Sequence, residues 1–427
     1  MEKSAYYIIC IFTILQLLIL HTFGYTPYPD SEGYTFLAKE CIEAGYIVYP
    51  IPSLDYPFIW NLGAINAVVF SLKLFSSVTP LLYLYAFFKG ITVLLFYLFT
   101  KKITCVHTAL TALIIYVTYP ANYGECTSLL SELPFVFFVF LAVWLITNKK
   151  KNFTGGMVLA IANTIRPMGL VFIAAYIVWF LCKRSSARKK IAHLLAGYSF
   201  VILSIGAFNY VRSGYFFYQT VTGWMALMQY SWDNDMDKSD DIALFDHADP
   251  MYTDSSKHYN SIQKDSIYRA HFFVWLANNK AEYVRQMPKK LFATYISDNT
   301  NICTFLPDKT EREYMYEPLS MNTLFKDFPI LSAVQWLAIA NLVYYYIIIL
   351  LATLSTILLI RIRRIKYYIF CISSILIGTA VILLVGHGES RFHQPLMPFF
   401  IILAATYIQN KRYPLQYYQK ENNPNKR

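Results

Sequence analysis

The feature that most constrains this chain is a series of apolar stretches of about twenty residues, the length an α-helix needs to cross a bilayer core of about 30 Å. They lie at 6–25, 81–100, 103–119, 128–147, 191–211, 331–360, 367–385 and 395–409. A further apolar stretch, 155–182, is interrupted by Arg166-Pro167. Only 15% of the 427 residues are charged and 56% are hydrophobic, too few charges to cover a water-soluble domain. The expectation is an all-α polytopic membrane protein with about 10–11 transmembrane helices in a single domain, 1–427. The net charge of +11 then belongs to the cytoplasmic face rather than to nucleic acid. Seven cysteines lack CxxC or CxxxC spacing and read as small apolar fillers.

Basic clusters at 101–102, 149–151, 183–190, 361–366 and 411–412 set the sidedness, and the positive-inside rule places all five in the cytoplasm. Since 149–151 and 183–190 share a side, 155–182 must go out and come back, with Arg166-Pro167 at the outer turn. Broken helices at membrane depth persist where they line a cavity or pack in protein. An arginine snorkelling beside a kink is the plainer reading. If Lys3 and Lys101 are both inside, 58–75 is re-entrant or interfacial rather than a crossing. The alternative is that Lys101-Lys102 breaks the rule.

Two outer segments remain. The first, 26–57, contains a short amphipathic helix at 31–45, with Phe36, Leu37, Cys41 and Ile42 on one side. The second, 212–329, is acid-rich over 232–254 and has helical apolar spacing after Asp265: Ile267, Ala270, Phe273, Val274 and Ala277. A calcium loop starting at Asp233 would need glycine and glutamate where Lys238 and Leu244 stand, so that motif fails. There is no Walker loop, GxGxxG or HExxH.

Three groups of residues carry the chemistry. Asp30 and Glu32, in Pro29-Asp30-Ser31-Glu32-Gly33-Tyr34, suit a general base for a hydroxyl; capping of the following helix by Asp30 is the structural alternative. Glu132 lies about one turn inside an apolar helix, where a carboxylate costs about 2.5–3.5 kcal/mol unless it is wet or paired. Arg166 is its natural partner on sidedness, and ion pair and substrate contact weigh equally. Between the last two apolar stretches stand His387, Glu389, Arg391 and His393. Arg391 there is placed for a lipid phosphate, which its fork matches bidentately. The histidines with Glu389 fit no standard metal spacing.

In this order and on one side, four strings resemble the integral-membrane glycosyltransferases of the GT-C superfamily, near the protein O-mannosyltransferase and aminoarabinose-transferase branch. They are Pro29-Asp30-Ser31-Glu32-Gly33-Tyr34 with Leu37-Ala38, Ser131-Glu132, Arg166-Pro167, and Glu389-Ser390-Arg391-Phe392 with Pro395 and Pro398. The resemblance implies a catalytic base at Asp30, a donor-phosphate contact at Arg391, a polyprenyl-phosphate sugar donor and inverting transfer to a hydroxyl of a lipid, glycan or protein. It further implies an active site on the outer, periplasmic face of a bacterial inner membrane, with the 232–295 region covering it. Ser31 stands where many members carry a second acid, which leaves open whether Glu32 substitutes and whether a divalent metal is used as cofactor. The rival readings are a lipid-linked glycan polymerase and a flippase or transporter. The long outer segment weighs against a transporter, and its early acidity and few arginines weigh against a polymerase.

Overall fold

The computed structural model describes residues 2–56, 58–183, 186–232, 259–306, 319–320, 323–324, 331–386 and 388–412. The acidic 233–254 stretch and His387 lie outside them. The described residues build helices α1 (Glu2–Phe23), α2 (Pro29–Glu43), α3 (Leu62–Phe75), α4 (Thr79–Ile103), α5 (Val106–Thr118), α6 (Glu132–Thr147), α7 (Asn152–Ile165), α8 (Gly169–Lys183), α9 (Ala187–Ser213), α10 (Gly223–Trp232), α11 (Ser261–Asn278), α12 (Lys280–Arg285), α13 (Met287–Tyr295), α14 (Ala333–Arg361), α15 (Ile369–Val385) and α16 (Met397–Arg412). Short 3-10 turns occur at Pro120–Asn122, Glu125–Thr127, Thr300–Phe305 and Ser390–Leu396. Among the described residues the only β pairing is one bridge, Ile59 to Val221. The chain is an all-α polytopic membrane protein.

The apolar stretches are of two kinds. Among the described residues, α1, α4, α9 and α14 are each long and apolar enough to cross a membrane. Pro120–Thr127 and Glu132–Thr147 are apolar enough together but bent by 109°, the geometry of a broken span or a re-entrant loop. By contrast α3, α5, α8 and α15 are apolar but of 13 to 17 residues, about 20–26 Å at 1.5 Å per residue. Breakers set these lengths, notably Pro120 and Pro167.

The helices alternate in direction. Thr13 of α1 packs on Gly90 of α4, and Glu2 at the start of α1 pairs with Lys101 at the end of α4 at 2.6 Å. These helices are therefore antiparallel, with Lys3 and Lys101 at one end and the intervening α2 and α3 at the other. That resolves the sidedness conflict. The 14-residue α3 is not a crossing; its first turn packs against Thr164 and Ile165 at the end of α7. Three of the basic clusters, 101–102, 149–151 and 183–190, gather at the Lys101 end. Lys183 interacts electrostatically with Lys190 and Lys102, and Lys150, Lys151, Lys189 and Lys190 line one cavity. Between α7 and α9, Gly156 abuts Leu194 and Gly197 abuts Phe153 so closely that no side chain fits at either. Small residues allow this close helix approach in membranes.

An aromatic core locks the bundle. Phe140 of α6 stacks on Phe399 of α16 (5.6 Å between rings) and meets Phe96 and Phe99 of α4 edge-on, while Phe172 of α8 and Phe370 of α15 close around Phe399. All seven cysteines are free, and five are buried.

α2 departs from the expected helix at 31–45. Tyr28 takes the N-cap position and Pro29 the first turn, and the cap residue makes no side-chain hydrogen bond. Proline suits that first position because its fixed φ is already helical and its missing N–H costs nothing. Asp30 therefore does not cap the helix. Leu37, Ala38 and Cys41 are buried, whereas Phe36 is exposed.

Candidate active site

At the end opposite the lysine clusters, four distant pieces of sequence converge. Arg391, in the turn Ser390–Leu396, places Nη2 2.7 Å from Asp30 Oδ2 and Nε 2.6 Å from Glu389 Oε1. Its Nε is also 4.0 Å from Glu132 Oε1. That same Glu132 oxygen is 2.7 Å from Arg166 Nη1, and Arg166 donates to Ser131 Oγ at 3.1 Å. The result is a continuous chain of charges, Asp30–Arg391–Glu132–Arg166, with Glu389 on its flank. Tyr28 and Phe392 face the Arg391 guanidinium at 5.2 and 5.9 Å, and Phe392 also faces Arg166 at 5.2 Å.

Local sequence explains each placement. Pro29 starts α2, so Asp30 falls in its first turn. Pro167 ends α7, and Arg166 before it is extended (φ −147°, ψ 130°), the conformation a following proline imposes. Its side chain is thereby released from the helix to reach Glu132. Glu132 opens α6 rather than lying one turn inside it, because the segment before it runs through a 3-10 turn and extended residues. Gly388 adopts φ +80° with its α-carbon against the Lys290 backbone. Only glycine satisfies both demands, and the turn it makes delivers Glu389 and Arg391.

Glu132, Arg166 and Arg391 are buried, while the Asp30 side chain is 26% exposed. Asp30 is thus the acid at the wet edge. Burial raises its proton affinity above the ordinary carboxylate range; Arg391 opposes this, and Glu132 and Glu389 add to it. Tyr34, one turn along α2, accepts a hydrogen bond from Asn61 at 2.7 Å and packs edge-on against Trp60. Burial, then the charges of Asp30 and Glu132, push its phenol up, so it enters the site neutral.

The other expected site residues are placed differently. Glu32 is exposed, because positions two apart on a helix point to different faces. It takes no part in the Arg391 pairs with Asp30, Glu132 and Glu389. His393 is buried behind the site, its Nδ1 2.7 Å from the Thr294 carbonyl and its ring against Tyr295 and Tyr345. Burial pushes it down to about 4, so it is neutral; it makes none of the Arg391 contacts, and its Nε2 lies 3.6 Å from Asp298 Oδ1. Among the described residues no three His, Cys, Asp or Glu side chains gather as a metal site; the acids here converge on guanidinium groups.

A second polar network lies beneath and was not foreseen. Lys89 of α4 pairs with Glu125, Tyr119 donates to Asp298, and Gln394 approaches Asp298 at 3.5 Å. These residues, with Asn122 and Asn301, line a cavity of about 30 Å³, enough to hold a water. Burial raises Asp298 to about 7. Its available signal was Lys89, an ionisable residue inside an apolar helix, which calls for a partner.

No protein-family model matches the chain, and no curated protein matches it. Among solved structures it is similar to the Archaeoglobus fulgidus oligosaccharyltransferase tethered through a disulfide bond to an acceptor peptide containing the NVT sequon. The TM-score is 0.48 and the identity 12%, over 99% of this chain and 51% of that one. The chain thus spans about half the length of that protein.

Proposed function

We propose that the chain is a membrane glycosyltransferase that moves a sugar from a polyprenyl-phosphate donor to a hydroxyl on a lipid, glycan or protein at the outer face, with inversion and with Asp30 as general base. The observation that carries this reading is the Asp30–Arg391 pair: one carboxylate at the water edge, held by a buried guanidinium between two apolar helices. It puts the acid and the cation that this reaction needs in direct contact.

The chemistry follows from the contacts. A guanidinium fork binds phosphate oxygens as readily as carboxylate oxygens. When the donor's phosphate takes the Arg391 fork, Asp30 is released toward the acceptor. The acceptor hydroxyl then gives its proton to Asp30 while its oxygen bonds to the anomeric carbon. The bond from that carbon to the phosphate oxygen breaks, and its electron pair leaves with the lipid phosphate. Arg391 stabilises that developing charge in a site sheltered from water. Glu132, paired with Arg166, fixes the position of Arg391, and Glu389 holds its Nε edge. Glu32 has no role in this scheme, and no divalent metal is required by it.

The test is a transfer assay with purified protein in vesicles, polyprenyl-phosphate sugars and a membrane glycolipid extract, read by mass spectrometry. A hexose- or pentose-sized mass gain that is lost with Asp30→Asn supports the reading. Translocation of intact glycolipid without a mass change overturns it in favour of a transporter.

A further inference from the structure

The sequence places 212–329 in the outer aqueous space, but its helical portion is built like a membrane-surface element. Much of the apolar stripe of α11 faces outward, although Phe273 also meets Trp224 of α10 at 5.2 Å. Ala270, Phe273, Val274 and Ala277 are exposed, Phe273 and Val274 by 49% and 67%, while Tyr268 and Phe272 make the buried face. The two short helices that follow repeat this pattern, with Val284 of α12 and Leu291 and Phe292 of α13 exposed, Phe292 by 65%. Apolar side chains left outward along three successive helices are a cost in water and a gain at a lipid boundary.

Position and charge identify the occupant. Tyr283 of α12 donates to the Leu384 carbonyl at 2.5 Å, and Tyr295 of α13 meets Thr379 Oγ1 at 2.6 Å. Both bonds fix these helices to the outer half of α15, whose Leu376, Leu384 and Val385 are themselves exposed. α11 is joined to α12 through Phe272 and Trp275 against Tyr283. The exposed apolar surface therefore continues the lipid-facing wall of α15. Residues 261–295 also carry Lys264, Arg269, Lys280, Arg285 and Lys289, with Lys290 buried, against Asp265 and Glu282. Basic side chains beside an apolar stripe fit anionic headgroups.

We propose that α11–α13 lie in the outer leaflet at the boundary between headgroups and acyl chains, with Phe273, Val274 and Phe292 immersed and the basic residues among lipid phosphates. The occupant of this face is the bilayer itself. The proposal is independent of the glycosyltransferase reading, since it needs no donor and no turnover.

Site-directed spin labelling of the full chain tests it. Cys10 and Cys182, the exposed cysteines, are replaced by serine, and single cysteines are placed at 273, 274 and 292. Leu376 on α15 serves as the lipid-facing reference and Glu40, exposed on α2, as the aqueous one. Labelled protein is reconstituted in phosphatidylcholine–phosphatidylglycerol vesicles, and collision with oxygen and with a water-soluble nickel chelate is measured. The expected result is oxygen access like that at 376, with nickel access lost relative to 40. Nickel access equal to that at 40 would mean that the face is in water. Loss of both would mean that protein covers it. Either overturns the proposal.

Discussion

Arg391 and Asp30, from opposite ends of the chain, meet at 2.7 Å, and the same guanidinium holds Glu389 at 2.6 Å. Removing the guanidinium leaves carboxylates facing one another without their shared cation. Breaking one partner out of a buried charge pair costs about 3–5 kcal/mol. Arg391→Ala is therefore expected to lower thermal stability as well as donor affinity. Arg391→Lys should retain stability better than affinity, because a lysine supplies the charge without the bidentate fork. Equal donor affinity in wild type and Arg391→Lys would contradict the phosphate role.

Glu132→Gln removes the anion between Arg166 and Arg391 and should destabilise the protein by about 3–5 kcal/mol. The double variant Glu132→Gln, Arg166→Gln should recover part of that loss, since it leaves no uncompensated cation at 166. Thermal unfolding in one detergent across the four proteins measures the coupling. Strict additivity would show that the 2.7 Å contact carries no energy.

Glu32→Gln separates the two acids named by sequence. Its side chain is exposed and outside the charge chain, so turnover should stay within about twofold of wild type. Losing a general base costs about 10²–10⁴-fold. A loss of that size at Glu32 would move the base from Asp30.

Asp298 makes stability depend on pH with a definite sign. Its carboxyl is held up at about 7 by burial, from an ordinary 3.8. The folded protein therefore binds this proton more tightly than the unfolded chain. That contribution is fully present below about pH 4 and is lost as pH rises through about 7. The melting temperature should fall across this window, and Asp298→Asn should remove that part of the slope. An unchanged slope in the variant would contradict the assignment.

Much of the architecture was legible because helix length, proline positions and lysine clusters are local signals. Arg166-Pro167 marks the α7–α8 break, and shared sidedness pairs Arg166 with Glu132, as the 2.7 Å contact has it. The Asp30–Arg391 pair was not legible as a contact: each residue was singled out alone, and only the closure of the bundle joins α2 to the last turn. His393 stands beside Arg391 in sequence, but its position turned toward the Thr294 carbonyl and Asp298 is a product of the packing and is not legible locally. The Lys89–Glu125 pair went unread because one apolar helix hides its lysine within an otherwise uniform pattern.

The central claim is that Asp30, positioned by Arg391, takes the acceptor's proton. The most direct measurement is the rate of sugar transfer from a polyprenyl-phosphate donor as a function of pH, for wild type and Asp30→Asn in the same vesicles. Because burial lifts Asp30 above the ordinary carboxylate range, the wild-type rate should rise with pH through an acid limb displaced above that of a free aspartate. The variant, still folded and inserted, should lose about 10²–10⁴-fold in rate and show no such limb. Transfer by Asp30→Asn at the wild-type rate, with the limb intact, would contradict the account.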